Sequence, residues 1–259
     1  MADLIDPWAS FTLDYDKLVN QFGIGKISEI LNDIKNPQRL MQRGVIFGHR
    51  EFNEINNLIN QNKDFAVVTG MMPSGQMHIG HKMVVDQLKW YQDMGAMLSL
   101  PIADLEAYAA RDMSFEKGRE IAVNEYLTNW IALGLDLERD NVNVYLQSQN
   151  QQLQNLAFKA ANKTNFSQLK AIYGFENSTN IAHVQAPLMQ VADILLPQIE
   201  EFGGPKKVVV PVGIDQDPHI RLTRDIAHRL HEETGFIQPA STYHRFLTGL
   251  TGDKMSSSK

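Results

Sequence analysis

"DFAVVTGMMPSGQMHIGHK", Asp64–Lys82, opens with a short apolar run rich in β-branched residues and passes through a turn marked by Gly70, Pro73 and Gly75 into what reads as a helix. A strand, a glycine-rich turn and a helix in that order are the opening unit of a parallel α/β sheet. The carboxyl end of such a strand is where a phosphate group settles, because the helix that follows presents unpaired N–H groups and a partial positive charge. Gly70 permits an unusual turn, Pro73 fixes the chain, Gly75 adds a second permissive position, and Gly80 removes a side chain where a flat base could approach the backbone. His78 and His81 stand three apart and share a face once the helix has begun. They read either as polar residues at a helix start or as half of a metal site. A metal would need a third ligand, and no carboxylate or histidine nearby stands at metal-ligand spacing, so no protein-bound metal is expected. Imidazoles can instead donate hydrogen bonds to phosphate oxygens.

Outward from this unit the rhythm repeats. "GHKMVVDQLKWYQDMG" places Met83, Val84, Leu88 and Tyr91 at helical spacing and stops at Gly95. "AMLSLPIAD" is a second strand, a long helix is predicted from about Ser114 to Leu133, and "NVNVYLQS" is a third strand. Helices follow over roughly Gln151–Asn162 and Thr179–Leu195, then a fourth strand, "KKVVVPVG", and a helix, "DPHIRLTRDIAHRL". This alternation predicts an α/β fold: a Rossmann-like parallel sheet with helices on both faces, joined by right-handed crossovers. Residues 1 to about 60 read as an N-terminal extension of short amphipathic helices. Tyr15, Leu18, Val19 and Phe22 share a face, Gly23 stops that piece, Pro37 starts another, and Gly44 and Gly48 interrupt any longer helix. The expected division is an extension over 1–60, a catalytic domain over 61–253 with a helical insertion at roughly 110–205, and a signature loop beginning at 254–259. "FGGPKK", Phe202–Lys207, is the best internal boundary.

Composition narrows the classes. The 259 residues are 43% hydrophobic, enough for a large single core, and there is no cysteine, which excludes disulfides, thiolate metal sites and cysteine nucleophiles. A formal charge of −6 argues against a protein that coats nucleic acid indiscriminately. No apolar run reaches the roughly 18 residues of a membrane span. The acidic start "MADLIDPWAS" is unlike a signal peptide, so the expected location is the cytoplasm, with no membrane partner.

The chain ends on "LTGLTGDKMSSSK", Leu247–Lys259, which alone reads equally as a tail or a modification site. With "HIGH" after "TGMMPSG", it resembles the two signature sequences of class I aminoacyl-tRNA synthetases. "DPWASFTLDYDKLVNQFG", "RGVIFGHREFNEI" and "GIDQDPHIRLTRDIAHR" further resemble the tryptophanyl-tRNA synthetases of archaeal and eukaryotic type, a similarity running from Asp6 to Lys259. The resemblance implies a homodimer that combines L-tryptophan with ATP, as its Mg2+ complex, and passes the product to tRNA(Trp). It also implies a helical anticodon-binding domain beyond the loop, so anticodon recognition is expected to be absent from these residues.

What the resemblance implies for single residues follows from the reaction, attack of an ionised carboxylate on the α-phosphate. No protein nucleophile or base is needed, and the work is positioning and charge stabilisation. His78, His81 and Lys254 are the catalytic candidates. Thr69, Gly70, Gly80, Asp215, Met255, Ser256 and Ser257 are the candidates for ATP, and Val68, Glu106, Gln190, Asp193 and Gln216 those for the amino acid. Glu106 and Gln190 would meet the substrate ammonium, and Asp193 would accept the indole N–H. Asp215 reads either as a ribose contact or as a helix cap. Asp217 is the better simple cap, and Arg221, Arg224, Arg229, His228 and His231 read as a solvated helix face. Ser257 stands where the family's commonest loop has a second lysine, which shifts the charge burden to Lys254. Val68 and Pro101 stand where the human-like enzymes use a tyrosine and a glutamine on the indole nitrogen. "MQVADI" resembles the segment of bacterial tryptophanyl and of tyrosyl enzymes, which leaves tyrosine as the alternative substrate. Two other classes also remain: a nucleotidyltransferase sharing the histidine signature, and a non-catalytic paralogue.

Lys254→Ala is expected to slow adenylate formation, measured in a single turnover, by a factor on the order of a hundred or more while tryptophan affinity changes little. An unaltered rate would remove the lysine from the reaction.

Overall fold

The structure, a computed structural model, describes residues 22–246. The expected helix face of Tyr15, Leu18 and Val19 and the loop residues Lys254, Met255, Ser256 and Ser257 lie outside the described residues. Seven strands form one sheet: β1 (Gly25–Lys26), β2 (Ile46–Arg50), β3 (Ala66–Val68), β4 (Met97–Ile102), β5 (Val142–Leu146), β6 (Val208–Gly213) and β7 (Ala240–His244). Their order across the sheet is β1-β2-β7-β6-β3-β4-β5. From β7 to β5 every pairing is parallel, whereas β1 and β2 run antiparallel along one edge. The helices that matter for the site are α1 (Phe52–Asn60), α2 (Ile79–Asp93), α3 (Asp104–Arg111), α4 (Gln151–Asn162), α5 (Phe166–Tyr173), α6 (Ile181–Leu195) and α7 (Asp217–Thr234). Among the described residues no helix is long and apolar enough to cross a membrane.

The central strands read as unbroken apolar runs because both of their faces are buried. Successive residues point to opposite sides. Val67 and Val209 enter one cluster with Phe52, Ile55, Leu88 and Trp130, while Ala66, Val68, Val208 and Val210 pack on the other side with Ile194 and Ile220. A further cluster joins α4, α5, α6 and α7 through residues such as Leu153, Leu169, Leu195 and Ile226.

The segment before β3 differs most from expectation. "IFGHR" is a strand, and through it residues 46–50 extend the main sheet. Gly44, at φ +66, ends the short helix Arg39–Gln42 as expected. Gly48 lies inside β2, where a Cβ would come within 2.6 Å of Ile24 Cγ2. A glycine demanded by close packing was read as a helix interruption. Phe52, Ile55 and Ile59 on α1 then enter the main core, so this part of the presumed extension is built into the sheet's own packing. Among the elements with no sequence counterpart are α3, α5 and the short strand "ASTYH". The long helix predicted from Ser114 appears as Phe115–Ile121 and Thr128–Ala132 joined by a π-helical stretch, Ala122–Leu127, with Tyr126 and Trp130 fully buried.

Asp217 is no simple cap. Gln216 holds the cap position of α7 without a side-chain bond, and Pro218 is the second helical residue. The Asp217 side chain is fully buried, and Arg50 grips it with Nε 2.8 Å from Oδ1 and a terminal nitrogen 3.1 Å from Oδ2. The Tyr243 hydroxyl donates to the same carboxylate, and Arg221 pairs with it at 3.1 Å. Arg224, expected in solvent, donates to Glu51 and to the Pro239 carbonyl. One face of α7 is therefore bonded to the N-terminal segment and β7. Helical periodicity cannot distinguish that from a hydrated face, because the partners come from distant sequence.

Arg50→Leu leaves the Asp217 carboxylate buried without its forked partner. A loss of about 3 kcal/mol in folding stability is expected, to be read from urea denaturation.

Candidate active site

The chain lays down β3, then β4 and β5 to one side of it, and returns to place β6 on the other side. Neighbouring strands whose following connections leave in opposite directions open a crevice at their carboxyl ends. A cavity of about 390 Å³ occupies that position here. Every candidate residue that falls within the described region lines it, from Val68, Thr69 and Gly70 on the end of β3 to Asp215 and Gln216 after β6. The sheet brings together segments that are far apart in sequence.

At one end the entry to α2 forms a compact donor group. His78 is the cap residue, and its Nδ1 accepts the Gly80 N–H at 3.1 Å; His81 Nδ1 accepts the His78 N–H at 3.2 Å. The bonds are reciprocal, as in a capping box, with imidazoles in place of a hydroxyl and a carboxylate. Each neutral ring then carries its proton on Nε2, a donor, because Nδ1 is already an acceptor. The two rings stack with centroids 3.9 Å apart. Burial, and then the neighbouring His78, push the His81 pKa down to about 4, so this ring is neutral at physiological pH. The Tyr126 ring stands edge-on to His81, and its hydroxyl donates to the Met72 carbonyl while accepting from the Ser74 N–H. That contact ties the glycine-rich turn to the π-helical stretch.

The glycines do different work from that expected of them. A Cβ on Gly80 would stand 2.8 Å from His78 Cε1, so the missing side chain makes room for the imidazole of its own cap. At Gly70 a Cβ would fall 2.7 Å from the Pro101 carbonyl oxygen, and a close approach of β3 to β4 accounts for the residue. Gly75, at φ +152, does occupy a conformation that favours glycine.

The other end of the crevice is acidic and rich in amides. Asp193, on α6, is buried, and burial drives its pKa up to about 7; hydrogen bonds from Gln147 and Tyr145 oppose that rise, and the nearby carboxylates Glu106 and Asp104 add to it. Gln147 Nε2 donates to Asp193 Oδ2 at 2.6 Å, and the Tyr145 hydroxyl donates to Oδ1 at 2.9 Å. Glu106, on α3, keeps some surface toward the crevice although protein atoms surround it; burial raises its pKa to about 7, partly offset by Arg111. Gln190 Nε2 donates to Gln216 Oε1 at 3.3 Å across the gap between α6 and the turn after β6. Thr69 Oγ1 donates to the Pro211 carbonyl at 3.4 Å, linking β3 to β6 beneath the opening. Among the described residues no group of three His, Asp or Glu side chains is arranged to hold a metal ion.

Sequence reading missed Tyr145 and Gln147, which it placed on a strand and assigned no task. The available signal was position, since polar side chains at the carboxyl end of a parallel strand face the ligand crevice.

Comparison with known proteins gives a consistent set of relatives. The family described as tRNA synthetases class I (W and Y) matches residues 60–259. The tryptophan–tRNA ligase of Methanocaldococcus jannaschii is 58% identical over 258 residues, covering 98% of this chain and 69% of that protein. That of Methanopyrus kandleri is 50% identical, covering 99% of this chain and 67% of its own length. Among solved structures, a tryptophanyl-tRNA synthetase from Aeropyrum pernix K1 superposes with a TM-score of 0.88 at 45% identity, over 95% of this chain and 67% of that one. One from Encephalitozoon cuniculi, solved bound to tryptophan, gives 0.81 at 29% identity, over 92% and 71%.

The buried imidazole of His81 sets a measurable expectation. In an NMR titration it should remain the neutral Nε2–H tautomer at pH 6 and take up a proton only near pH 4. Because the unfolded chain binds that proton near pH 6.5, folding stability should fall as pH drops from 6.5 toward 4 and level off below.

Proposed function

The chain belongs to the class I tRNA synthetases of the tryptophan and tyrosine family, among the tryptophan–tRNA ligases, and from that premise we propose how its crevice carries the reaction. L-Tryptophan is activated with ATP to tryptophanyl-adenylate and pyrophosphate, and the tryptophanyl group is then transferred to tRNA(Trp). A carboxylate oxygen of tryptophan forms a bond to the α-phosphorus, and the bond from that phosphorus to the bridging oxygen breaks as pyrophosphate leaves. The attacking group is already ionised, so the residues act by alignment and by stabilising charge on the phosphoryl oxygens.

His78 and His81 donate from Nε2 to the phosphates, the Nδ1 of each ring being already occupied as an acceptor. Thr69, Gly70 and Gly80 shape the floor under the nucleotide, and Asp215 meets the ribose. Lys254 contributes the principal positive charge from the loop, with Met255, Ser256 and Ser257 beside it. Mg2+ arrives as part of the ATP complex and rides on the phosphates. At the acidic end Glu106, Gln190 and Gln216 receive the ammonium group, Val68 walls the ring, and Asp193 organises recognition of the ring nitrogen. The protein acts as a homodimer in the cytoplasm. The observation that carries this reading is the convergence of the α2 donor pair and the Glu106–Asp193 acids on one crevice at the β3–β6 border.

Exchange of labelled pyrophosphate into ATP tests it. Exchange is expected with tryptophan and at background level with tyrosine or with no amino acid. Exchange driven by tyrosine, or independent of any amino acid, would overturn the assignment.

A further inference from the structure

The amino-acid end of the crevice holds a polar atom that the roles above leave unused. Gln147 follows directly on β5, is 2% exposed and lines the crevice. Its Nε2 is committed to Asp193. Its Oε1 is buried with no hydrogen-bond partner among the described residues. Buried carbonyl acceptors are almost always paired, and one left bare at the wall of a binding crevice marks the place where a ligand donor belongs.

The orientation of that acceptor is dictated. An amide can be turned over at little cost in isolation, but here a flip would set Oε1 against Asp193 Oδ2, two acceptors facing each other when that carboxyl is ionised. Asp193 is itself held, since the Tyr145 hydroxyl occupies Oδ1 and the Gln147 amide occupies Oδ2. Tyr145, Asp193 and Gln147 thus form a relay of fixed hydrogen bonds whose last free function is one carbonyl lone-pair face. The backbone around it is fixed as well, because Gln154 Nε2 donates to the Gln147 carbonyl at 3.3 Å.

We propose that Gln147 Oε1 accepts the ring N–H of the substrate indole, and that Asp193 and Tyr145 are positioning residues that aim this amide. The proposal rests on the tryptophan-activating reading and deepens it. The carboxylate orients, and the neutral carbonyl recognises. Oε1 is buried in the free protein while its residue lines the crevice, so the bond to the ring forms by a small adjustment of the wall as the indole seats against the end of β5. A site built this way prefers a ring that brings the donor, because Oε1 is already buried and unpaired in the free protein and only an N–H satisfies it.

The test compares two substrates in ATP–pyrophosphate exchange: tryptophan, and its benzothiophene analogue 3-(3-benzothienyl)alanine, in which sulfur replaces the N–H. Gln147→Met preserves length and bulk and removes both the acceptor and the Nε2 donor to Asp193, so the sulfur analogue, which has no ring N–H, reports the loss of the Asp193 contact alone. It should raise KM for tryptophan on the order of tenfold, with kcat changed much less, and leave KM for the sulfur analogue within about twofold of the wild-type value. Equal losses on both substrates would mean that Gln147 only props Asp193, and an unchanged preference would mean that the N–H goes elsewhere; either overturns the proposal. Gln147→Leu gives the same reading if the methionine variant does not fold, and exchange with the analogue serves as the internal check on folding. Absence of tryptophan-dependent exchange in the unsubstituted protein would instead refute the underlying function, and the proposal with it.

Discussion

The parallel pairing of β3 with β6, Ala66 against Val208 and Val67 against Val209, is the constraint on which the crevice depends. The two strands are far apart in sequence, and their following helices leave in opposite senses. Their carboxyl ends therefore cannot be closed over by their own connections. The turn before α2 lands on one lip and the Ile214–Gln216 turn on the other. Burial of both sheet faces makes the pairing hard to shift, because slipping either strand by one residue would exchange its two sets of valines between different cores.

The N-terminal segment steadies the second lip. Arg50 and Glu51 are adjacent, and each bonds to α7: Arg50 to Asp217 at its start, Glu51 to Arg224 two turns on. Glu51 also pairs with Lys207 just before β6, at 2.7 Å. The Arg224 bond is the main reason its carboxyl lies low, at about 2; burial opposes the shift and Lys207 reinforces it. That contribution is present above pH 4.5 and is lost as pH falls toward 2. Asp215 and Gln216 sit between these anchors, so the geometry of this lip of the crevice depends on residues that do not line it.

Within the crevice the polar groups are sorted by what they offer. The His78 and His81 imidazoles give donors at one end, and two carboxyls with pKa values raised to about 7 give acceptors at the other. Desolvation drives each of these shifts, and it is also what makes a few hydrogen bonds count, since interactions strengthen when water is excluded. The Tyr145–Asp193–Gln147 relay is the far limit of that sorting. It carries order from the edge strand β5 into the part of the site where the ring is recognised.

The sequence by itself determined the α/β class, the central strands and most of the long helices, because two-faced burial and helical spacing are written in local patterns such as "DFAVV" and "MVVDQLKWY". It also brought forward His78 and His81 through their spacing after the first strand, and Glu106, Asp193 and Asp215 through the resemblance of their segments to a known family. Only the tertiary structure decided that residues 46–50 are a strand of the main sheet, that Asp217 is a buried ion-pair hub, and that Gly80 makes room for His78. It alone brought Gln147 to Asp193. Each of these turns on a contact between segments distant in sequence, and periodicity reports only how a segment relates to itself.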